Sequence, residues 1–475
     1  MYDVIVVGSG ATGAWSARCL ASSGRRVLVL EAGRNAHSDE LARLIRLEEP
    51  PGGAPHQPRQ SLLPGYVPAV GPFLVDDTLN PYTTSGATDY TWFRSRQLGG
   101  RTLLWGGVTP RLADADFAGW PFTGGELAPH YDRVEEVMGV DKTQPLTAAE
   151  EALGDAVAGM WPGARIGSRP GVAGWPTLTD DYGTQWPAGA SPPLFLHEAM
   201  RGGADLRTDC IVESLALDGE DVVGVRVVDR LTRERSTIGS EAVALCASSI
   251  ESSRILLNSR NADHPHGVGN SSDHLGRHLR DHLSVTVWGT AAQFTGPDTA
   301  QPLGGPFGLY LSLHDRGYQV EGWAQRGRAR PGQPSRFALA ASVPMSDASA
   351  NRVTIHPHRV DAWGVPVVDI SFGLGPADVA LVVKAEGELH QMCARADFEI
   401  TDTDRHYERI ASYVHEVGTA RMGIAPEHSV VDPLNRVWDA PNVLVLDGAC
   451  WPTNPCPNPT LTMLAVASRA CESMR

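Results

Sequence analysis

Lysine is almost missing from this chain: Lys142 and Lys384 are the only two in 475 residues, so arginine carries nearly all the positive charge. Acidic residues outnumber basic ones, 55 to 40, and the formal net charge is −15. A surface that neutralises phosphates needs a basic footprint, so this balance argues against a nucleic-acid partner. It suits a neutral or cationic small molecule. No stretch approaches the ~18 consecutive apolar residues of a membrane helix, so no membrane partner is expected. No basic segment and apolar run precede the first apolar strand, which starts at Tyr2, and a cytoplasmic protein is expected. The cysteines (Cys19, Cys210, Cys246, Cys393, Cys450, Cys456, Cys471) are odd in number and form no CxxC pair. That pattern fits neither a disulfide framework nor a zinc site, and no metal is expected.

The length exceeds what one core usually organises, so two domains are expected. A hydrophobic content of 42% with 20% charged residues is ordinary for a globular enzyme. Tyr2 to Val7 is a short β-branched run suited to a buried parallel strand. It leads into Gly8-Ser9-Gly10-Ala11-Thr12-Gly13 and an Ala-rich helical stretch to about Ser22. A second apolar strand, Arg26 to Leu30, ends in Glu31. Strand, G-x-G-x-x-G, helix, strand and an acid about 20 residues on form the dinucleotide-binding fingerprint. Gly8 permits the tight turn, Gly10 lets a pyrophosphate approach the backbone, and Gly13 lets helix and strand pack closely. The helix N-terminus, at Thr12 and its neighbours, supplies N–H donors. Glu31 can accept the ribose hydroxyls of an adenosine. The fingerprint alone does not separate NAD from FAD.

Residues 36–89 are rich in Pro and Gly, with a short helical hint at Leu41–Leu47, and read as a long insertion that either covers the site or runs over the surface. Arg96-Gln97-Leu98-Gly99-Gly100-Arg101-Thr102-Leu103-Leu104-Trp105-Gly106-Gly107 follows, a second glycine-dense stretch where backbone passes close to something bulky. Near the C-terminus stand His415-Glu416-Val417-Gly418-Thr419-Ala420-Arg421-Met422-Gly423, Asp447-Gly448 and Asn458-Pro459-Thr460-Leu461-Thr462. Together these segments resemble the glucose–methanol–choline (GMC) oxidoreductases, closest to the pyranose-oxidase-like, sugar-oxidising branch. In pyranose oxidases a His in the second glycine stretch bonds covalently to the flavin. Leu104 stands at that position, so the resemblance implies non-covalent FAD.

The same resemblance extends through the middle of the chain. Trp120-Pro121 with Leu127 and Pro129-His130-Tyr131 is similar to a family segment that leads into a helix. Ala247-Ser248-Ser249-Ile250-Glu251 follows a buried strand (Glu241 to Ala247) and opens a helix to about Leu257, at the place of the family's second FAD-contacting turn. Ser248 stands where Gly is usual. Asn270 to Arg277 and Asp281-His282 resemble the run that closes the cofactor domain. Five histidines lie between His264 and His282, and their spacing reads as loop or surface histidines. Leu206 to Val228 alternates around Gly219 as a hairpin, and Pro376 to Cys393 reads as a helix. Ser284–Gly289, Gly308–Ser312, Gln319–Trp323, Phe337–Pro344, Asn351–His356 and Val365–Ser371 alternate polar and apolar residues, the pattern of a mostly antiparallel sheet with one wet face. Trp288, Trp323 and Trp363 read as core residues or as platforms for a sugar face.

The expected fold is therefore an α/β Rossmann-type FAD-binding domain with a second α+β substrate domain on a mostly antiparallel sheet. The first is expected from 1–115, 204–282 and 430–475, the second from 116–203 and 283–429. Oxidising an alcohol needs a base for the hydroxyl proton and an acceptor for the hydride. Imidazole suits the base at neutral pH, and a carboxamide steadies the alkoxide without competing for the proton. The resemblance implies that His415 is this base, that Asn458 is its partner, and that hydride passes to flavin N5. It implies FAD contacts from Gly8, Gly10, Thr12, Gly13, Glu31, Gly99, Gly100, Thr102, Trp105, Gly106, Val212, Ala247, Glu251, Asp447, Gly448, Asn458, Pro459 and Thr460. The implied substrate is a sugar-like polyol (free sugar, glycoside or amino sugar), with O2 or another compound accepting the electrons. A non-redox lyase of the same family, oxidation of a small non-sugar alcohol, and a nicotinamide dehydrogenase remain as alternatives.

Overall fold

The computed structural model describes residues 1–36, 40, 57–62, 68–172, 177–179, 185–187, 191–295, 308–326, 333–346, 349–409 and 414–474. The helical hint at Leu41–Leu47 lies outside them.

The first layer grows from β1 (Tyr2–Val7), whose last four residues are fully enclosed. α1 (Ala11–Ser22) returns the chain to β2 (Val27–Leu30), which pairs parallel with β1, Ile5 opposite Leu28. On its other side β1 pairs parallel with β3 (Arg235–Leu245), Ile5 opposite Val243. An eight-stranded sheet results, extended by Cys210–Asp218 and Asp221–Asp229 at one end and by Asp205–Arg207 at the other. Strands buried on both faces need helices on both faces. α2 (Ser249–Asn258) follows β3, and α3 (Thr460–Ser473) closes the chain. Helix Ser191–Arg201 covers α1, with Phe195 edge-on to Trp15 at 5.1 Å between ring centres. Helix Gly124–Met138 covers α3, joined by Tyr131 to Thr462 at 2.7 Å and Arg133 to Glu472 at 2.6 Å. The 116–203 segment thus contributes to two cores: these two helices join the first, and Ala148–Met160 joins the second.

The second core lies beneath a six-stranded antiparallel sheet containing β4 (His282–Thr295), β5 (Leu309–Leu313), β6 (Tyr318–Ala324) and β7 (Pro334–Pro344). Alternation gives it two unlike faces. Val285, Val287, Val320, Leu339 and Ala341 face the core with helix Pro376–Arg395. Ser284, Thr286, Gln319, Glu321 and Ser342 occupy the opposite face, as the registers Ser284↔Ser342 and Gln319↔Ser342 require. At the edge, Arg326 and Glu150 form a fully buried ion pair at 2.5 Å.

One expectation changes. Arg352–Val360 and Pro366–Ser371 do not extend this sheet; they form a separate three-stranded sheet with Thr83–Thr84. Gly276 holds the hairpin away, accepting the Val353 N–H at 2.8 Å, so the strands pair where the 270–282 run passes.

Candidate active site

A cavity of about 580 Å³ runs from the ends of β1 and β2 to the polar face of the six-stranded sheet. Of the residues singled out from sequence, Gly8, Gly10, Thr12, Glu31, Gly100, Thr102, Trp105, Gly106, Val212, Ala247, Glu251, His415, Asp447, Gly448, Asn458, Pro459 and Thr460 all line it. Gly13 and Gly99 stand behind it. A Cβ on Gly13 would meet the Gly8 carbonyl oxygen at 1.9 Å, so its role is close packing. The Gly99 N–H donates to Ser9 Oγ at 3.0 Å, and Ser9 Oγ donates in turn to Glu31 at 2.5 Å. Trp288, Trp323 and Trp363 lie outside the lining: Trp288 is 43% exposed, Trp323 is edge-on to it at 6.3 Å, and the Trp363 indole donates to the Arg230 carbonyl.

Three features fit a dinucleotide with a pyrophosphate. α1, α2 and α3 all begin on the cavity, and none has a side-chain cap on its first N–H groups. Three uncapped helix starts gather N–H donors and partial positive charge on one wall. Gly10 has no atom within 4 Å of where a Cβ would stand, leaving open space at the fingerprint turn. Glu31 accepts from Ser9 N–H at 3.1 Å and Gly33 N–H at 2.8 Å and is held facing the cavity at the end of β2. Burial pushes its carboxyl above the ordinary range. Burial also acts to raise Glu251, but Arg254 and Arg96 outweigh it and pull that carboxyl down to about 2. Ser248 has φ +82° and ψ 159°, a conformation that glycine adopts readily and serine does not. Leu104 lines the cavity at the position of the covalent His.

At the far end two hydrogen-bond relays set which atoms face the cavity. His282 Nε2 lies 2.8 Å from the Pro455 carbonyl oxygen, and its Nδ1 lies 2.9 Å from His415 Nδ1. A carbonyl only accepts, so His282 carries its proton on Nε2 and offers a bare Nδ1. His415 must then donate from its own Nδ1, which leaves His415 Nε2 as the proton acceptor. Asp281 ties the two backbones together: its Oδ1 accepts the backbone N–H of His282 at 2.7 Å and the backbone N–H of His415 at 2.9 Å. Burial, then the neighbouring His282 and Arg101, hold His415 well below the ordinary imidazole range. Burial likewise brings His282 down to about 4. Both rings are neutral at neutral pH.

The second relay begins at Tyr310, whose hydroxyl donates to Gln319 Oε1 at 2.6 Å. Gln319 must then present Nε2, which donates to Asn458 Oδ1 at 3.4 Å. Asn458 is left with its Nδ2 donor. The site therefore combines a ring acceptor and an amide donor, which match an alcohol losing its proton. His282 corrects the sequence expectation of a loop or surface histidine: it is 1% exposed and supports His415. Its position beside Asp281, at the start of a strand, was the available signal. Nothing in the sequence marked Tyr310 or Gln319.

A cofactor cavity ending in a neutral imidazole and a carboxamide donor defines an alcohol oxidoreductase that works with a dinucleotide. The chain belongs to the GMC oxidoreductase family: residues 2–284 match its N-terminal part and residues 347–467 its C-terminal part. Its members are FAD enzymes, and FAD is the cofactor. The chain is similar to a 2-methyl-1,2-propanediol dehydrogenase of Mycolicibacterium austroafricanum, 26% identical over 98% of this chain and 94% of the relative. It is 27% identical to a paromamine 6'-oxidase of Streptomyces fradiae, over 100% and 91%. A formate oxidase of Aspergillus oryzae shares the fold with TM-score 0.70 at 15% identity, over 99% and 97%. Among the described residues no helix is long and apolar enough to cross a membrane.

Proposed function

We propose that this protein oxidises one hydroxyl of a sugar-like polyol to a carbonyl, with His415 Nε2 taking the hydroxyl proton and Asn458 Nδ2 donating to the oxygen. The observation that carries this reading is the pair of relays that leave those two atoms on one cavity with the dinucleotide fingerprint. FAD, when bound, supplies the two-electron acceptor. The residues named above for the cofactor would hold it: the Gly8–Gly13 turn its phosphates, Glu31 its ribose, and the Gly99–Gly106 stretch and Asn458–Thr460 its ring. The polar sheet face presents Glu321 to a hydroxylated substrate, with Gln319 beside it holding Asn458. Relatives named for 2-methyl-1,2-propanediol and for paromamine support the same substrate class.

His415 is neutral and so ready to accept a proton, and its neighbour His282 keeps that proton site on the cavity side. The cofactor part is assigned to 1–115, 204–282 and 430–475 and the substrate part to 116–203 and 283–429, with Gly124–Met138 and Ser191–Arg201 leaning back on the former. No disulfide joins the described cysteines, in keeping with a cytoplasmic setting. The test is anaerobic: a sugar or polyol panel should bleach the visible band of the oxidised flavin, and in air peroxide formation would identify O2 as the acceptor. A flavin that stays oxidised with every polyol sinks the reading.

A further inference from the structure

β6 places Gln319 and Glu321 on the same sheet face, about 7 Å apart along the strand. Gln319 is committed to Asn458, but Glu321 has no such task. Its side chain is 10% exposed, it lines the cavity, and its Oε2 makes no hydrogen bond. A buried carboxylate oxygen with no donor is costly unless something else supplies one. Among the described residues the cation paired with it is Arg169, whose Nη1 stands 3.8 Å from that oxygen, an approach too long for a hydrogen bond. Arg169 lines the same cavity, and its side chain is 9% exposed. The two groups thus present an acceptor and a donor side by side, one strand step from the relay that orients Asn458.

Resting on the reading that this cavity oxidises a polyol, we infer that Glu321 and Arg169 recognise a second hydroxyl of the substrate, which donates to Glu321 Oε2 and accepts from the Arg169 guanidinium. A hydroxyl is both donor and acceptor, so it can donate to the unpartnered Glu321 Oε2 and accept from an Arg169 N–H. An ammonium would gain from Glu321 but would sit against the like charge of Arg169. The substrate class at this position is therefore a neutral polyol, although the net charge of the chain would also suit a cation. Gln319, which orients Asn458, and Glu321 stand two residues apart on one strand face, so the pair reads a hydroxyl other than the one oxidised.

The test compares the flavin-loaded wild type with Glu321→Gln, which keeps size and shape and gives up the charge. Anaerobic flavin bleaching is measured against concentration for D-glucose, methyl β-D-glucopyranoside, sorbitol, D-glucosamine and cyclohexanol. For polyols the half-saturating concentration should rise about 10- to 100-fold in the variant, the limiting rate should change little, and cyclohexanol should behave alike in both proteins. An unchanged flavin spectrum and melting temperature would show that the variant is folded. Unchanged half-saturation for a polyol that bleaches the wild type overturns the recognition pair and leaves the proposed function intact. A wild-type preference for glucosamine over glucose that Glu321→Gln abolishes also overturns it, because Glu321 would then read a cation. If no polyol bleaches the wild type, the proposed function fails and the pair fails with it.

Discussion

His282 and His415 meet nitrogen to nitrogen, Nδ1 to Nδ1 at 2.9 Å, with their rings almost perpendicular at 83°. Two bare nitrogens would repel and two N–H groups would clash, so one proton sits between them, and the Pro455 carbonyl decides that it belongs to His415.

Replacing His415 by Ala should lower kcat/KM about 10²- to 10⁴-fold with flavin still bound, the usual loss for a positioned base. Replacing His282 by Phe removes the acceptor and frees His415 to turn or change tautomer. A smaller fall, about 10- to 100-fold and mainly in kcat, is expected. Full activity in His282→Phe would show that the contact is incidental.

The pH profile follows from the direction of the His415 shift. Its folded pKa lies below the ordinary value, so the neutral base is present at and above pH ~6.5 and is lost only as pH falls through that lower pKa. Plots of kcat/KM should be flat through neutrality with an acid limb below ~6.5. An acid limb centred above that value would mean that another group is the base.

Gly10 and Gly13 lie three residues apart and should respond differently to alanine. At Gly10 the space is open, so Gly10→Ala should leave the stability of the flavin-free protein within about 0.5 kcal/mol and weaken flavin retention about tenfold or more. At Gly13 a methyl would overlap the Gly8 carbonyl, and Gly13→Ala should cost about 3 kcal/mol of stability even without flavin. Thermal melts of both flavin-free variants, with flavin titrations, separate the cases. Equal melting losses would contradict the division of roles.

Ser248 holds a backbone conformation at φ +82° that costs a serine about 1–3 kcal/mol. Ser248→Gly relieves this and adds flexibility to the unfolded chain, for a net gain of about 1 kcal/mol in a denaturant titration. A loss of stability would mean that the serine side chain contributes more than its backbone costs.

The order of these elements along the chain made part of the protein readable. The fingerprint from Tyr2 to Glu31 is a local pattern, and helix and strand periods announce it without reference to anything distant. His415 and Asn458 stood out because each lies in unusual turn sequence. The six alternating stretches after Leu283 were also legible, but not which of them pair. Two of the six left for a sheet of their own, because strand partners depend on where the rest of the chain passes.

By itself the sequence determined the cofactor class, the helix starts that open on the cavity, and the chemical types of the proposed pair, since these follow from residue identity and short-range spacing. Only the tertiary structure decided which atoms of that pair are available. A His 133 positions away selects the tautomer of His415, and a glutamine 139 positions away orients Asn458. Hydrogen bonds reach about 3 Å and ignore sequence separation, so the protonation pattern of the site came into being only when the strands found their register.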